Sequence, residues 1–299
     1  MQPTRVSIAH LMRRMTFDEG RKLTTAVRTP NPSLSGVRPE SSAAVLDLVE
    51  DPFRDVADAH ERLSALESLL YERDDRRAAF LTIYARVTAE VDEGLSRDAF
   101  NDPAWVADYL VTFADHYRRA FCAFERGTVD EVPDPWRLSF ETSVRGDALV
   151  SQDILLGINA HVNYDLALAL SEVGIDPDRR AKYDDHRRIN RVLRSLVDEE
   201  QDLIAERYAG GIADVDESLG RLDETLSFFT LREGRRNAWR GAVVLTDGRY
   251  GPVKRAVRWY LKSLSMGAGH FILAPTTNAA VRERLERLED GGPTTRSEA

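Results

Sequence analysis

Residues 148–170, ALVSQDILLGINAHVNYDLALAL, form the stretch of sequence that decides the fold. The stretch contains no basic residue and only two acidic residues, Asp153 and Asp165. As a helix it is apolar on nearly every side, which is typical of a helix buried in the core of a protein. The sequence therefore predicts a central apolar helix near 147–172.

Helical periodicity extends outward from this stretch in both directions. From Pro52 onward, apolar residues recur at intervals of three and four, and the alternation that marks a half-buried strand is almost absent. We therefore predict an all-α fold, a multi-helix bundle around the central helix. The predicted helices span 53–72, 75–94, 103–126, 136–145, 147–172, 177–208, 214–230, 232–246, 251–266 and 277–288.

Aspartate–proline pairs mark several of the predicted helix starts. An aspartate can accept hydrogen bonds from the first backbone amides of a helix, and proline is tolerated in the first turn. Glycines mark matching ends, because a left-handed residue closes many helices. The predicted starts are Asp102-Pro103, Asp134-Pro135 and Asp176-Pro177, and the predicted ends are Gly127, Gly174 and Gly210-Gly211.

Composition and length predict one folded helical domain with irregular ends. Hydrophobic residues make up 42% of the 299 residues and charged residues 30%, a balance typical of globular proteins. The segment TPNPSLSG at 29–36 prevents a continuous helix near the start, because proline lacks the backbone donor. We predict an N-terminal arm at 1–40, a single helical domain at 41–290 and a flexible tail at 291–299.

The sequence shows neither a membrane-spanning nor a secretory segment. No apolar run is long enough to cross a bilayer, and residues 1–19 lack the apolar core of a signal peptide. We therefore expect a cytoplasmic protein without a transmembrane segment. The only cysteine, Cys122, excludes an internal disulfide and a site of several thiolates, so we expect it to be a buried packing residue.

Two polar stripes run along the predicted central helix. At 100° per residue, His161 and Asp165 lie one turn apart on one stripe, beneath Gly157. The second stripe lies nearly opposite and consists of Gln152, Asn159 and Asn163. Buried polar groups need partners, because each unsatisfied group costs about 1–3 kcal/mol. These side chains are therefore the strongest candidates for a buried site.

Neighbouring helices supply further candidates. Asp185 falls inside the apolar arc of the helix that follows, with His186 and Asn190 near its edge. His116 shares a stripe with Trp105, Tyr109, Phe113, Ala120 and Phe124. A lone histidine on an aromatic face is usually a core residue, but it becomes a candidate ligand if it meets His161. The candidate catalytic residues are Asn159, His161, Asp165 and Asp185, and the candidate metal ligands are His116, His161, Asp165 and Asp185.

Two interpretations of these residues stay open. In the first, a divalent metal such as zinc on His161, Asp165 and Asp185 lowers the pKa of a bound water, and the protein is a metal-dependent hydrolase. Without a metal, Asp165 could orient His161 as a general base. In the second, the residues form a structural network in a non-catalytic binding or scaffold protein. The substrate and the oligomeric state stay undetermined, and no glycine-rich phosphate loop, serine nucleophile elbow or paired-cysteine zinc site occurs.

A basic window at 231–262 is the strongest charge asymmetry in the chain. It contains nine basic and two acidic residues, a charge of +7, whereas the whole chain carries −9 and the remainder −16. The window also contains Trp239, Tyr250, Trp259 and Tyr260. This combination can bind an anionic partner, although it is also typical of a solvated face that offsets an acidic remainder. A small molecule or an anionic ligand is the expected partner, and nucleic acid is not.

Residues 157–166, GINAHVNYDL, resemble the signature of an uncharacterised prokaryotic family, the domain of unknown function fifty-nine ninety-five. The family pattern is Gly-Ile-Asn-Ala-His, one variable residue, Asn, one variable residue and Asp-Leu. The chain matches every fixed position of this pattern. The resemblance extends from about Pro52 to Tyr260 and implies a helical fold without a known reaction.

The His-x-x-x-Asp pair also resembles part of the metal site in helical zinc phospholipases C and single-strand nucleases. His161 and Asp165 match that one pair. Those enzymes use a free amino-terminal tryptophan and many more histidines, whereas this chain begins with Met1-Gln2 and has six histidines. The resemblance therefore implies a site for one or two metal ions and not for three.

Overall fold

The described part of the chain is helical. The computed structural model describes residues 42–191 apart from 147 and 149, residues 193 and 231–273, and the single positions Arg21 and Thr24. Every regular element within these ranges is a helix, and they contain no strand. The predicted all-α fold is therefore confirmed.

Nine helices, numbered α1 to α9 in chain order, lie in the described residues from 42 to 273. They are α1 (Ala43–Val49), α2 (Val56–Tyr71), α3 (Ala78–Ser96), α4 (Pro103–Arg126), α5 (Asp134–Arg145), α6 (Val150–Ala160, the π-helical turn His161–Asp165 and Leu166–Val173), α7 (179–191), α8 (231–247) and α9 (Gly251–Leu273). A short 3-10 turn, Val129–Glu131, connects α4 to α5.

The predicted helices correspond to α2 through α9, with the largest difference at the end of α9, which continues to Leu273 instead of ending at 266. Helix α1 was not predicted, because its seven residues are too few to show a clear period. Its start is fixed by Ser42, whose hydroxyl accepts a hydrogen bond from the Val45 amide at 3.3 Å. The predicted helices 214–230 and 277–288, and the part of 177–208 beyond 193, lie outside the described residues.

The predicted helix starts are correct at one aspartate and wrong at two. Asp102 caps α4 and accepts a hydrogen bond from the Trp105 amide at 3.0 Å. Asp134 instead begins α5, which Pro133 precedes, because its carboxylate pairs with Lys262 at 2.9 Å. Asp176 lies before α7 and pairs with Arg179 at 2.7 Å. At these two positions a cationic side chain contacts the carboxylate in place of the first backbone amides of the helix.

The predicted glycines lie at helix ends where the structure describes them, but only one of the two described glycines is in the predicted left-handed conformation. Gly127 closes α4 in the left-handed conformation, with φ of 69°. Gly174 ends α6 with φ of 85° but an extended ψ, so it is not a left-handed cap. The pair Gly210-Gly211 lies outside the described residues. Gly146, at φ of 66°, closes α5 in the left-handed conformation and was not predicted.

Helix α6 lies at the centre of the bundle, as predicted. It packs against α3, α4, α5 and α9. The side chains of its second half, 166–170, are at most 7% exposed. Because burying a leucine stabilises the folded state by roughly 1.5–3 kcal/mol, this segment contributes strongly to the core.

Two apolar clusters form most of the core, and α4 and α6 contribute to both. The first cluster contains Phe113 of α4 and Leu166 of α6. The second contains Tyr117 of α4 and Ala160 of α6. The π-helical turn between Ala160 and Leu166 therefore lies where the two clusters meet.

The ends of the chain lie outside the described residues, apart from Arg21 and Thr24, and the predicted arm at 1–40 and tail at 291–299 remain predictions. Of the helices that the structure describes, none combines the length and the hydropathy needed to cross a membrane. Cys122 is a buried free thiol, which agrees with the expected packing role.

Candidate functional site

The candidate site is built on the π-helical turn of α6. In this turn the Leu166 amide donates to the carbonyl of His161, five residues earlier. A π turn places an additional residue in one helical turn, and such turns are frequent at functional sites. The turn begins with His161 and ends with Asp165, the two residues that the sequence predicted to share a stripe.

Gly157 allows α3 to approach α6 one turn before the site. A Cβ atom at this position would lie 2.5 Å from Cγ of Phe80, closer than any side chain tolerates. The Phe80 ring lies with its centroid 6.0 Å from that of His161. The glycine thus brings an aromatic wall against the site.

The imidazole of His161 lies in an aromatic cage and is 2% exposed. It stacks on Phe113 of α4, with ring centroids 3.5 Å apart and planes 8° from parallel. Tyr84 of α3 contacts it edge to face, with centroids 4.6 Å apart. The cage is completed by Phe80, Tyr117 and Trp136. Rings from three helices therefore fix the orientation of the imidazole.

Asp165 receives two hydrogen bonds on the same oxygen, Oδ2. The indole Nε1 of Trp136 donates at 2.7 Å, and Nδ1 of His161 lies at 3.0 Å. An ionised carboxylate can only accept, so in that state the imidazole carries its proton on Nδ1. The pair is therefore a histidine whose tautomer is set by a carboxylate.

Burial shifts the pKa values of this pair toward the neutral forms. It raises the pKa of Asp165 from 3.8 to about 7, against the opposing effects of nearby His116 and of the hydrogen bond from Trp136. It lowers the pKa of His161 well below 6.5. Near neutral pH, His161 is therefore uncharged, while Asp165 can both lose and gain a proton.

Three buried polar atoms of the cage have no hydrogen-bond partner among the described residues. They are Nε2 of His161 and the hydroxyl groups of Tyr84 and Tyr117. Most buried polar atoms in proteins have a partner. The cage therefore has unused hydrogen-bonding capacity beside the imidazole.

Asp165 also belongs to the lining of a surface cleft of about 690 Å³, here called the Asp165 cleft. The cleft lies between α4, the 3-10 turn and the π turn of α6, and His116, Arg119 and Tyr164 also line it. Both hydrogen bonds to the carboxylate end on Oδ2, so Oδ1 has no hydrogen bond among the described residues. The Asp165 side chain is 1% exposed, so it forms part of the inner wall of the cleft.

His116 lies in the Asp165 cleft but has a carboxylate partner of its own. Its side chain is 15% exposed, and its Nε2 lies 3.1 Å from Oε2 of Glu172. Burial lowers the pKa of His116, and the charge of Asp165 partly opposes this change. The structure thus places His116 in the same cleft as Asp165, whereas His161 is not part of the cleft lining.

Asp185 serves a different part of the fold. It is fully buried, and its two oxygens accept hydrogen bonds from the amides of Asn101 at 2.8 Å and Asp102 at 2.9 Å. These amides immediately precede α4. Asp185 therefore anchors the start of α4, and the structure does not bring it to His161 and Asp165.

The second polar stripe of α6 connects this helix to α9. Asn159 donates to the carbonyl of Ser265 at 2.9 Å and accepts from Asn163 at 2.8 Å. Gln152 donates to the carbonyl of Ile272 at 2.8 Å. Asn159 is therefore a helix-connecting residue on the far side of α6 from the pair.

A second buried histidine, His186 of α7, forms a separate polar cluster. Its Nε2 donates a hydrogen bond to the carbonyl of Arg235 at 3.1 Å, so Nδ1 is the acceptor nitrogen of the neutral ring. Nδ1 accepts the hydrogen bond from the hydroxyl of Tyr109 at 3.1 Å. The Nε of Arg235 donates to Asn190 at 2.8 Å. Burial lowers the pKa of His186 well below 6.5. This cluster connects α4, α7 and α8.

The described residues do not assemble the predicted metal site. Among them, no group of three or more histidine, cysteine, aspartate or glutamate side chains is arranged to hold a metal ion. Of the four candidate ligands, His161 and Asp165 are in contact, His116 shares the cleft with Asp165, and Asp185 lies at the start of α4. The candidate site therefore consists of the His161–Asp165 pair and the Asp165 cleft.

A second cleft, of about 580 Å³, lies among α2, α3 and α4. Its carboxylates include the exposed Asp55, which caps α2 by accepting from the Asp58 amide at 2.8 Å. No histidine lines it. The Asp165 cleft is the better candidate, because it contains a buried titratable pair.

The sequence analysis did not identify Trp136, Tyr84 or the cage. These residues lie on helices far apart in the chain, so no local spacing connects them to His161. The feature of the sequence that could have indicated the cage is the aromatic stripe of α4, which includes Phe113. An aromatic stripe that packs against an apolar helix containing one histidine indicates a ring partner for it.

Comparison with known proteins identifies one family. The sequence model of a group described as "Family of unknown function (DUF5995)" matches residues 56–275, well over half of the chain. No curated protein and no solved structure matches the chain. The matched range includes the His161–Asp165 pair, the cage and most of the cleft. The chain therefore belongs to the family of unknown function DUF5995.

Proposed function

We propose that the protein is an enzyme that acts by proton transfer, most simply a hydrolase for a small polar ligand bound in the Asp165 cleft. The observation that carries this proposal is the position of Asp165, which lines the cleft while His161 and Trp136 hold its Oδ2. Burial raises the pKa of this carboxyl group to about 7. General acid–base catalysis is most effective when the pKa lies near the working pH.

Asp165 acts as the general base through Oδ1 in this proposal. It takes a proton from a water molecule while the water oxygen forms a bond to the electrophilic atom of the ligand. The protonated carboxyl group then returns that proton to the leaving group as the scissile bond breaks. His161 stays neutral and donates to Oδ2, which keeps the carboxylate in place. Because the described residues bring no third metal ligand to this pair, the proposal rests on proton transfer.

The charges around the cleft favour an anionic ligand. Arg119 is 47% exposed, and its contacts with Asp115 at 3.3 Å and Glu172 at 3.6 Å are longer than a strong ion pair. A carboxylate or phosphate group of a ligand could therefore bind Arg119 without breaking a short contact. The lone buried Cys122 and the composition are consistent with our further proposal that the protein acts in the cytoplasm.

The test compares the purified full-length chain with the Asp165→Asn variant on chromogenic esters, phosphate esters and glycosides. This substitution preserves shape and removes ionisation, so we expect kcat/KM to fall by roughly 100-fold or more. The parent rate should also change near pH ~7, and the variant should lose this dependence. Asp153→Asn is the matched control, because Asp153 is equally buried on α6 but pairs with Arg76.

Equal rates for the parent and Asp165→Asn on every substrate class, or no hydrolysis by the parent, would contradict the proposal. The second candidate is then a non-catalytic binding protein. It is favoured by the purely structural contacts of Asn159 and Asp185. In that case, small anions should raise the melting temperature of the parent, and Asp165→Asn should change that shift without any rate to lose.

A further inference from the structure

A cationic and aromatic stripe covers the exposed face of the first half of α9. Cations recur at four-residue intervals along the stripe. At 100° per residue, its cations and its tryptophan together fall within an arc of about 140° around the helix axis. We define this α9 stripe as Lys254, Arg255, Arg258, Trp259 and Lys262. The opposite face of the helix is buried in the core and includes Val257, Tyr260, Leu261 and Leu264.

The cations of the α9 stripe have few counter-charges. Lys254, Arg255 and Arg258 are exposed, and none of them forms an ion pair within the described part of the chain. Lys262 pairs with Asp134 at 2.9 Å. No acidic residue occurs between Asp247 and Glu283 in the sequence. Among the described residues, the contact between Lys262 and Asp134 is therefore the only ion pair of the stripe, which is positively charged on a chain that is acidic as a whole.

Large aromatic rings are exposed beside these cations. Trp259 is 55% exposed on the stripe itself, and Tyr250, just before α9, is 72% exposed. Tryptophan and tyrosine rings are favoured at the boundary between water and a lipid bilayer, because one edge is apolar and the other polar. A solvated face that only offsets charge needs no exposed tryptophan.

We propose that the α9 stripe binds the surface of an anionic lipid bilayer. The cations are attracted by the negative potential of the headgroups, and Trp259 places its ring at the level of those headgroups. The helix lies along the surface, with its apolar face still packed in the bundle. This inference is independent of the chemistry proposed for Asp165.

The shape of the stripe favours a lipid surface over a nucleic acid. Proteins that bind single strands through aromatic rings and cations use a positively charged groove that follows the strand. The α9 stripe is the convex face of one helix, and neither described cleft is lined by its residues. A bilayer surface requires no groove.

The stripe lies beside the Asp165 cleft. Burial raises the pKa of Tyr164, which lines the cleft, and the nearby charge of Arg258 opposes that rise. Lys262 contacts Asp134, next to Pro133 of the cleft lining. A bilayer bound to the α9 stripe would therefore lie close to the mouth of the cleft.

The experiment is co-sedimentation of the full-length chain with vesicles of phosphatidylcholine, with and without about one-third phosphatidylglycerol. We expect binding only to the anionic vesicles, weakened by added salt. The variant Lys254→Gln/Arg255→Gln/Arg258→Gln should bind roughly 100-fold more weakly. The variant Arg97→Gln/Arg180→Gln/Arg191→Gln removes three exposed charges elsewhere and should bind like the parent.

Tryptophan fluorescence gives a second measurement. Trp105, Trp136 and Trp239 are at most 8% exposed, so a blue shift caused by anionic vesicles reports on Trp259. Trp259→Phe should abolish that shift. The proposal is overturned if the parent does not sediment with anionic vesicles, or if the α9 variant binds them like the parent. It is also overturned if a single-stranded oligonucleotide binds the stripe and the vesicles do not.

Discussion

The raised pKa of Asp165 makes the stability of the folded protein depend on pH. Its pKa is about 7 in the folded protein and 3.8 when the side chain is free of burial. Between these values the folded state binds more protons than the unfolded state. Proton binding by Asp165 therefore stabilises the folded state fully below about pH 4, and this stabilisation is lost as the pH rises through about 7. The loss in the free energy of unfolding is on the order of 4 kcal/mol.

We predict that Asp165→Asn loses this dependence. The amide does not ionise, so the free energy of unfolding of the variant, relative to that of the parent, should increase from about pH 5 to about pH 8. Urea unfolding at several pH values measures the difference. The lowered pKa of His161 acts in the opposite sense, because its stabilisation is lost as the pH falls below 6.5. Parallel curves for parent and variant would show that Asp165 does not titrate in this range.

Among single residues, those whose partners are local in sequence were predictable. His161 and Asp165, and likewise Asn159 and Asn163, are four residues apart, so helix geometry alone places each pair together. The partner of Asp185 is the backbone before α4, which is distant in sequence. No spacing within one helix indicates such a contact, so its role as an anchor required the structure.

Among helices, periodicity predicted the elements better than capping residues predicted their starts. The apolar faces of α2 through α9 depend on many side chains, and an error at one position changes little. An N-terminal cap depends on the hydrogen bond of one side chain, and an ion pair can hold that side chain away from the backbone amides. Asp134 and Asp176 both have cationic partners, in α9 and α7 respectively, that a sequence pattern does not reveal.

The packing of α3 against α6 depends on Gly157. Alanine has a higher helix propensity than glycine by about 1 kcal/mol, so Gly157→Ala would stabilise an isolated helix. In the protein the added Cβ would meet Phe80 at 2.5 Å, and we predict a net loss of about 1–3 kcal/mol in the free energy of unfolding. Gly251→Ala is the control, because its Cβ would have only an ordinary contact with Arg255 at 3.4 Å. Thermal unfolding of both variants tests this, and a Gly157→Ala protein as stable as the control would refute the close approach.

At the scale of the whole molecule, the shared helices α4 and α6 should make unfolding cooperative. Leu66 lies in one apolar cluster and Leu245 in the other, and both are buried. Each leucine-to-alanine substitution creates a cavity and should lower stability by about 2–5 kcal/mol. We predict one transition in each variant, with far-ultraviolet and near-ultraviolet circular dichroism changing together. Two separated transitions would show that the clusters unfold independently.

The distribution of charge over the molecule was predictable only in part. The sequence located the basic window at 231–262 but not which of its cations face solvent. Arg235 is 3% exposed and binds Asn190, and Arg236 pairs with Glu233. Among the described residues, the exposed cations of the window that form no ion pair are Arg232, Arg249 and, on α9, Lys254, Arg255 and Arg258. Whether a cation of the window is buried or exposed depends on which face of its helix packs into the bundle. That face is determined by the tertiary structure.

The π-helical turn makes α6 tolerant of a change in length at one place. A π turn holds one more residue than an α-helical turn, so deleting one residue between 161 and 165 would leave a regular α-helical turn, and the segments on either side would keep their orientation. Leu166 and Leu170 would then stay in the core, whereas the histidine and the aspartate of the candidate pair would lie three residues apart instead of four. A single deletion in a lineage of such proteins can therefore alter the candidate pair without repacking the bundle.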